Sequence, residues 1–282
     1  MEIVGNREFS DYRDLSDDEC HALIKGAKVS LGDDLVILGH HYQRADVYQH
    51  ADLKGDSLKL SRLASQANSE HIVFCGVHFM AEVADIMSKP SQKALLPDLA
   101  AGCSMADMAN LSKVNRAWVE LESVLGNKMS VTPITYINSA ADLKAFCGEH
   151  GGIVCTSSNA SRIVSWGLTE KDKILFFPDQ HLGRWSGHQL GLINESDMKV
   201  WDPDLWMGGL TEEEIKAAKI LLWKGHCSVH QMFQPSHIVR FREQHPDGFV
   251  ISHPECRFEV CDQSDFVGST EYIVETIAAA KP

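Results

Sequence analysis

The sequence contains no long apolar run. No stretch of its 282 residues approaches the roughly 18 uninterrupted apolar residues of a membrane-spanning helix. The N-terminal segment MEIVGNREFSDYRDLSDDEC is polar and acidic, and it lacks the apolar centre of a secretory signal peptide. We therefore expect a cytoplasmic protein with no membrane partner.

Basic clusters are also missing. Asp and Glu number 39 against 26 Lys and Arg, which gives a formal net charge of -13. An acidic chain without a dense Lys and Arg block does not attract nucleic acid or an anionic membrane by long-range electrostatics. The composition excludes both kinds of partner, so an anionic ligand would have to be held by helix N-termini, a few placed side chains or a metal.

No two of the eight cysteines form a CxxC pair. Structural zinc sites usually contain such close pairs, and cytosolic thiols are kept reduced, which argues against a disulfide framework. The cysteines are Cys20, Cys75, Cys103, Cys147, Cys155, Cys227, Cys256 and Cys261. They are therefore either buried thiols or ligands of a site assembled from distant segments.

Linkers rich in Pro, Gly or Ser are absent as well, so any domains are closely joined. From residue 35 short β-branched runs alternate with amphipathic segments, which is typical of βα units around a parallel sheet. We predict strands at 35–42, 71–77, 93–97, 130–138, 152–156, 173–178, 219–223 and 248–254. We predict helices at 57–67 and 211–219.

A weak internal repeat runs through these units. In each copy polar residues end a strand: His40 and Tyr42, then Tyr136 and Asn138, then His253 and Glu255. A hydroxyl cluster then opens a helix: Ser57, then Ser157 and Ser158, then Ser269 and Thr270. Helix capping, worth about 1 kcal/mol, explains any one cluster. Three helix N-termini converging on a pseudo-threefold axis would instead bind an anion of two or three charges.

The first two copies also end on a cysteine, Cys103 in AGCSMAD and Cys227 in GHCSVH. The spacing of these copies places a third cysteine beyond residue 282, so the third copy is predicted to be incomplete. A local zinc site from His226, Cys227 and His230 is the alternative for GHCSVH, and a lone thiol is more often a core residue.

Ten motifs carry a resemblance to a known family. HHYQ, ADLKGDSL, FCGVHFMAE, LLPDLAAGCSMAD, YINS, CTSSNA, FFPDQHLGR, LWKGHCSVH, HPEC and DFVGST follow one another between about residues 35 and 270. In these motifs the chain resembles the quinolinate synthase (NadA) family. The resemblance implies an α/β fold of three similar Rossmann-like domains with parallel sheets in a pseudo-threefold arrangement. The domains would be 1–128 with an N-terminal helical extension, 129–247, and an incomplete third domain at 248–282.

The resemblance also implies a cofactor, a 4Fe–4S cluster that takes one cysteine from each domain. Cys103 and Cys227 are the implied ligands, and the third ligand is expected beyond residue 282. Cys256 is a substitute, although the family does not use that position. Three thiolates leave one iron open as a Lewis acid, which suits a dehydration without net redox change.

Roles at the strand ends follow from the same resemblance. The implied catalytic residues are Glu255, His253, Tyr42 and His40. The implied substrate-binding residues are His40, Tyr42, Ser57, Tyr136, Asn138, Ser157, His230, His253, Glu255, Ser269 and Thr270. His40 and Tyr42 would polarise a triose phosphate, and Tyr136 and Asn138 would bind its dicarboxylate partner. Glu255 is the expected general base, with a pKa raised towards neutrality by a dry cavity.

The implied reaction condenses iminoaspartate with dihydroxyacetone phosphate to quinolinate in de novo NAD biosynthesis. L-Aspartate oxidase or aspartate dehydrogenase would supply the iminoaspartate. Because the family continues past GST, we interpret the chain as truncated at its C-terminus. A second hypothesis is therefore a non-catalytic fragment or an iron–sulfur or anion-binding scaffold, and a third is a zinc hydrolase using GHCSVH and HPEC.

Overall fold

The structure, a computed structural model, describes residues 9–126 and 129–280. The parts of the predicted domains on residues 1–8, 127–128 and 281–282 lie outside this description. The division into 1–128, 129–247 and 248–282 stays a prediction.

The chain forms two compact units. The first comprises Met1–Gly76 with Ala84–Asp98, and the second comprises Val77–Val83 with Leu99–Pro282. The prediction of an α/β fold with parallel sheets is confirmed, because the paired strands of each unit run parallel.

The first unit is built on a four-stranded sheet. Its strands are β1 (Leu35–His40), β2 (Leu53–Gly55), β3 (His71–Cys75) and β4 (Lys93–Leu95), in the order β2-β1-β3-β4. Its helices are α1 (Asp17–Leu31), α2 (Ala45–Tyr48) and α3 (Ser57–Gln66), with α4 (His78–Met87) beginning in the second unit. Short 3-10 turns lie at Phe9–Tyr12 and Gly32–Asp34.

The second unit contains a five-stranded sheet and a two-stranded sheet. The strands of the larger sheet are β5 (Val131–Tyr136), β6 (Ile153–Cys155), β7 (Lys173–Phe177), β8 (Met198–Trp201) and β9 (Ile220–Trp223), in the order β6-β5-β7-β9-β8. The smaller sheet pairs β10 (Ile251–Ser252) with β11 (Phe266–Val267).

Helices alternate with the strands of the second unit. They are α5 (Ser104–Asp107), α6 (Leu111–Leu125), α7 (Ala141–Glu149), α8 (Ala160–Glu170), α9 (Gln180–Gln189), α10 (Glu212–Ala217), α11 (Pro235–Gln244), α12 (Phe258–Gln263) and α13 (Thr270–Ala279). Short 3-10 turns lie at Trp206–Gly209 and His230–Met232. Within the described residues, no helix combines the length and the apolar character needed to cross a bilayer.

The main core of the second unit lies between α6 and the middle strands. Helix α6 begins after Asn110, whose side chain accepts the backbone N–H of Lys113. It buries Val114, Trp118 and Leu121, which recur at helical spacing along one face. Strands β7 and β9 are almost entirely buried, as expected of parallel strands covered on both faces. This packing fixes the positions at which both strands end.

The same local arrangement occurs three times. Strand β1 pairs with β2, β5 with β6, and β10 with β11, and each second strand leads through a hydroxyl residue into a helix. The hydroxyl residues are Ser57 before the body of α3, Ser157 before α8 and Ser269 before α13. The larger sheets also share one strand order once β8, an added edge strand, is set aside. This local topology agrees with the repeat seen in the sequence.

Three strands escaped the sequence analysis. Strands β2, β8 and β11 are two to four residues long, too short for a clear periodic pattern. Strand β8 extends the larger sheet at its edge, and Trp201 at its end is fully buried against the glycine turn at Gly208.

We expect Gly183→Ala to destabilise the second unit. An added Cβ would lie 2.6 Å from Cδ2 of Leu222 and 2.7 Å from Cδ1 of Phe176. Because this overlap outweighs the gain in helix propensity, the free energy of unfolding should fall by about 1–2 kcal/mol. Gly148→Ala is the matched control, because nothing lies within 4 Å of its added Cβ. It should raise stability by about 0.5–1 kcal/mol in urea unfolding, and equal effects of the two changes would contradict the packing described.

Candidate active site

The polar residues of the second unit gather at the carboxyl edge of its larger sheet. Strand β5 ends at Tyr136, and the connection after β9 carries Cys227. Carboxyl ends of parallel strands lie at the same edge, where ligands of open α/β sheets usually bind. The HPEC segment after β10 brings Glu255 to the Tyr136 side chain, so this edge holds residues from three distant parts of the chain.

Glu255 is the centre of this cluster. Its side chain is buried, and the hydroxyl of Tyr136 donates a 2.7 Å hydrogen bond to Oε1. Nδ1 of His230 lies 3.1 Å from Oε2, and Nδ1 of His253 lies 3.8 Å from Oε1. The two imidazole rings stack with centroids 4.8 Å apart. Three side chains from separate segments thus surround one carboxylate.

This environment keeps Glu255 ionised. Burial alone would raise its pKa, but the contacts of His230, His253 and Tyr136 favour the charged form and lower the pKa to about 2. The expectation of a pKa raised towards neutrality was therefore wrong, because it counted the dry surroundings and not the donors that the fold brings to the carboxylate.

The two histidines have opposite charge states. Burial disfavours the charged form of His230, but its contacts with Cys227 and Glu255 raise its pKa to about 10. Burial lowers the pKa of His253 to about 4, and the neighbouring His230 adds to this effect. The backbone N–H of Glu255 donates to Nδ1 of His253 at 3.3 Å, which requires that nitrogen to be unprotonated. The site therefore pairs an imidazolium with a neutral imidazole.

Cys103 interacts electrostatically with the residues around Glu255. It lies just before α5, and Met108 just after this helix is fastened to the end of β9. The indole Nε1 of Trp223 donates to the carbonyl of Met108 at 2.9 Å, and the N–H of His226 contacts its sulfur at 3.3 Å. Burial raises the pKa of the Cys103 thiol, and electrostatic interactions with Glu255 and Cys227 raise it further.

One group of donors could hold a metal ion. Within the described part of the chain, Cys227, His230 and Glu255 offer ligand atoms that all lie within 4.8 Å of one another. The local zinc hypothesis named His226 as the third donor, whereas Glu255 occupies that place. Cys256, the residue after Glu255, is also buried, and burial raises the pKa of its thiol to about 11.

The other predicted residues of this unit lie around the cluster. The hydroxyl of Ser157 shares a hydrogen bond with Tyr136, and Asn138 is half-buried just beyond the end of β5. Ser269 caps α13 by accepting the N–H of Tyr272 at 3.4 Å. Thr270 lines a cavity of about 570 Å³ whose wall also includes His230, His253 and Cys256.

His40, Tyr42 and Ser57 lie in the first unit, at the carboxyl edge of its own sheet. His40 ends β1 and is buried, and its ring lies 4.1 Å from that of Tyr42. Its register partner in β2 is Gly55, two residues before Ser57 opens α3. Burial lowers the pKa of His40 to about 4. Their predicted convergence with the residues of the second unit stays a prediction.

Asp179 is the buried residue of this site that the sequence analysis missed. It follows β7 and is completely buried, although it is a carboxyl group. Its Oδ1 accepts the N–H of His181 at 2.8 Å and so caps α9. The available signal was a strand-end Asp in FFPDQHLGR, but the same pattern describes an ordinary helix cap.

Comparisons with known proteins place these residues in one family. Residues 23–282 match the family model NadA, described as quinolinate synthetase A protein. A quinolinate synthase of Herpetosiphon aurantiacus is 52% identical over 98% of this chain and 74% of its own length. Those of Rhodopirellula baltica and Corynebacterium glutamicum are 50% and 51% identical over 98% and 96% of this chain, and over 73% and 68% of their own lengths.

We expect Tyr136→Phe to destabilise the protein by about 1–3 kcal/mol at pH 7, since a buried carboxylate loses a hydrogen bond. Glu255 has a depressed pKa, so its stabilising contribution is complete above its ordinary value of 4.5 and is lost as pH falls towards about 2. The difference from wild type should therefore be constant between pH 7 and pH 5 and shrink below pH 4.5. Tyr272→Phe, at a 41% exposed position, is the control and should stay within about 0.5 kcal/mol. A difference that grows on acidification would contradict this account of Glu255.

Proposed function

Since this chain belongs to the NadA family of quinolinate synthetase A proteins, we propose that it forms quinolinate from iminoaspartate and dihydroxyacetone phosphate, with loss of phosphate and water, as an enzyme of NAD biosynthesis. An enzyme that oxidises aspartate, either L-aspartate oxidase or aspartate dehydrogenase, would supply the iminoaspartate. The observation that carries the proposal is the buried carboxylate Glu255, which lies among two histidines, a tyrosine and a cysteine at the edge of a parallel sheet.

Cys103 and Cys227 fit an iron–sulfur cluster in the chemistry of their donors. Both are free half-buried thiols, and they interact electrostatically with each other. Thiolates are the ligands that such clusters prefer. These two residues would hold a 4Fe–4S cluster, and Cys256 would take the place of the third cysteine ligand. When bound, the cluster would supply an open iron that polarises a hydroxyl or carbonyl oxygen.

The residues around Glu255 would orient the substrate and move protons. The Glu255 carboxylate holds the Tyr136 hydroxyl and the His230 imidazolium in fixed positions. His230 is then a proton donor. His253 is neutral and its Nδ1 accepts the N–H of Glu255, so its Nε2 carries the proton and can donate a hydrogen bond to the substrate. Because these groups are buried, water has little access to the intermediates.

Hydroxyl groups and helix N-termini would bind the anionic groups of both substrates. Ser157 lies in the turn three residues before α8 begins at Ala160, and Ser269 and Thr270 open α13, where free N–H groups favour negative charge. Asn138 would bind iminoaspartate, the dicarboxylate substrate. His40, Tyr42 and Ser57 would bind and polarise dihydroxyacetone phosphate, the triose phosphate.

Zinc is a second candidate for the same donors. A cysteine, a histidine and a glutamate within 4.8 Å of one another match the ligands and number of a catalytic zinc site. A hydrolase would then use Cys227, His230 and Glu255 as ligands and would not need Cys103. The role of Cys103 therefore separates the two functions.

We expect Cys103→Ser and Cys227→Ser each to abolish iron loading and quinolinate formation. The measurement is iron, acid-labile sulfide and zinc per chain after anaerobic reconstitution, followed by a quinolinate assay. About four iron atoms should bind to the wild type, and Cys20→Ser, on α1 of the first unit, should match it. Zinc binding that survives Cys103→Ser but not Cys227→Ser would favour the hydrolase. A loaded wild type that makes no quinolinate would contradict the proposed reaction.

A further inference from the structure

Asp179 lies in the middle of the site edge. Strand β7 is flanked by β5, which ends at Tyr136, and by β9, which leads to Cys227. A β-bridge joins Asp179 to Gly225, and the N–H of Gln180 donates to the carbonyl of Gly225 at 3.1 Å. The two connections run so close together that a Cβ on Gly225 would collide with the carbonyl oxygen of Pro178. The backbone therefore holds Asp179 between the tyrosine and the cysteine.

Only one of the two carboxyl oxygens of Asp179 is used by the fold. Oδ1 caps α9, whereas Oδ2 is buried and has no hydrogen-bond partner among the residues that the structure describes. Capping does not explain a carboxyl group here, because Asn and Ser cap a helix about as well as Asp without placing a second acidic oxygen in the interior. A buried polar atom without a partner is costly and calls for an explanation.

The charges around Asp179 decide whether its carboxyl group is ionised or protonated. Glu255 is an anion, and its interaction and that of Cys227 disfavour a negative charge on Asp179. The interaction with His230 favours such a charge. His230 is already paired with Glu255 at 3.1 Å. Two buried carboxylates that share one cation cannot both stay charged at low cost. Burial first, and then the Glu255 charge, raise the pKa of Asp179 well above its ordinary value.

We propose that Asp179 is a substrate-binding residue of this site, a neutral carboxylic acid whose Oδ2–H donates a hydrogen bond to a carboxylate group of the bound substrate or product. Glu255 and Asp179 then have opposite tasks: the first accepts hydrogen bonds as an anion, and the second donates one to an anion. No proton is transferred from Asp179 in this role. The inference rests on the proposed function for the identity of its ligand, but the protonation of Asp179 can be tested without it.

Two variants separate the donor from the cap. Asp179→Asn keeps a capping oxygen and places N–H donors where Oδ2–H stood. Asp179→Ser keeps a capping hydroxyl but has no second group to donate. Because both retain the cap, both should unfold at nearly the temperature of the wild type.

The first measurement is the infrared difference spectrum between the reconstituted wild type and Asp179→Asn at pH 7. We expect the carbonyl band of a protonated carboxylic acid in the wild type and its loss in the variant. An ionised Asp179, seen as carboxylate bands in its place, would overturn the proposal whatever reaction the protein performs.

The second measurement is the Kd for quinolinate by calorimetry on the same reconstituted proteins. Asp179→Asn should stay within about threefold of the wild type, and Asp179→Ser should bind about 10-fold to 100-fold more weakly, the value of a hydrogen bond to a charged group. Equal weakening in both variants would show an acceptor role, and an unchanged Kd in Asp179→Ser would show a structural role; either result overturns the proposal. If the wild type itself does not bind quinolinate, the proposed function fails, and the infrared result alone decides the protonation of Asp179.

Discussion

The ionised carboxylate of Glu255, buried away from water, is the constraint on which the site depends. An isolated buried charge is very costly unless it is paired and hydrogen-bonded. Glu255, in the HPEC segment, meets this requirement through Tyr136 and His230, which come from β5 and the turn after β9. The sheets must therefore hold these three segments together, and the packing of α6 against buried β7 and β9 provides that support.

The hydroxyl residue has a different role in each copy of the threefold local arrangement. Asp56 caps α3 in place of Ser57, and the Ser157 hydroxyl bonds to Tyr136 and does not cap α8. Only Ser269 is itself the cap of its helix. Capping therefore does not account for the first two hydroxyl residues, and the binding role proposed for Ser57 and Ser157 stays a prediction.

Two carboxyl groups at one sheet edge have opposite properties because their surroundings differ. Glu255 faces the Tyr136 hydroxyl and the His230 imidazolium, so its pKa falls, whereas Asp179 has one backbone donor and a neighbouring anion, so its pKa rises. Both are fully enclosed, which shows that burial alone does not fix the direction of a shift. The number and charge of the contacts decide it.

The sequence by itself determined the α/β class, the main strands, the family and the strand ends on which polar residues lie, because periodicity and ordered motifs are local properties of the chain. It could not determine β2, β8 and β11, whose pairing depends on neighbouring strands, or the protonation of Glu255. It also could not distinguish Asp179 from an ordinary helix cap. Only the tertiary structure decided these points, since hydrogen-bond donors and charges from distant segments set the state of the buried groups, as Tyr136 does for Glu255, 119 positions further along the chain.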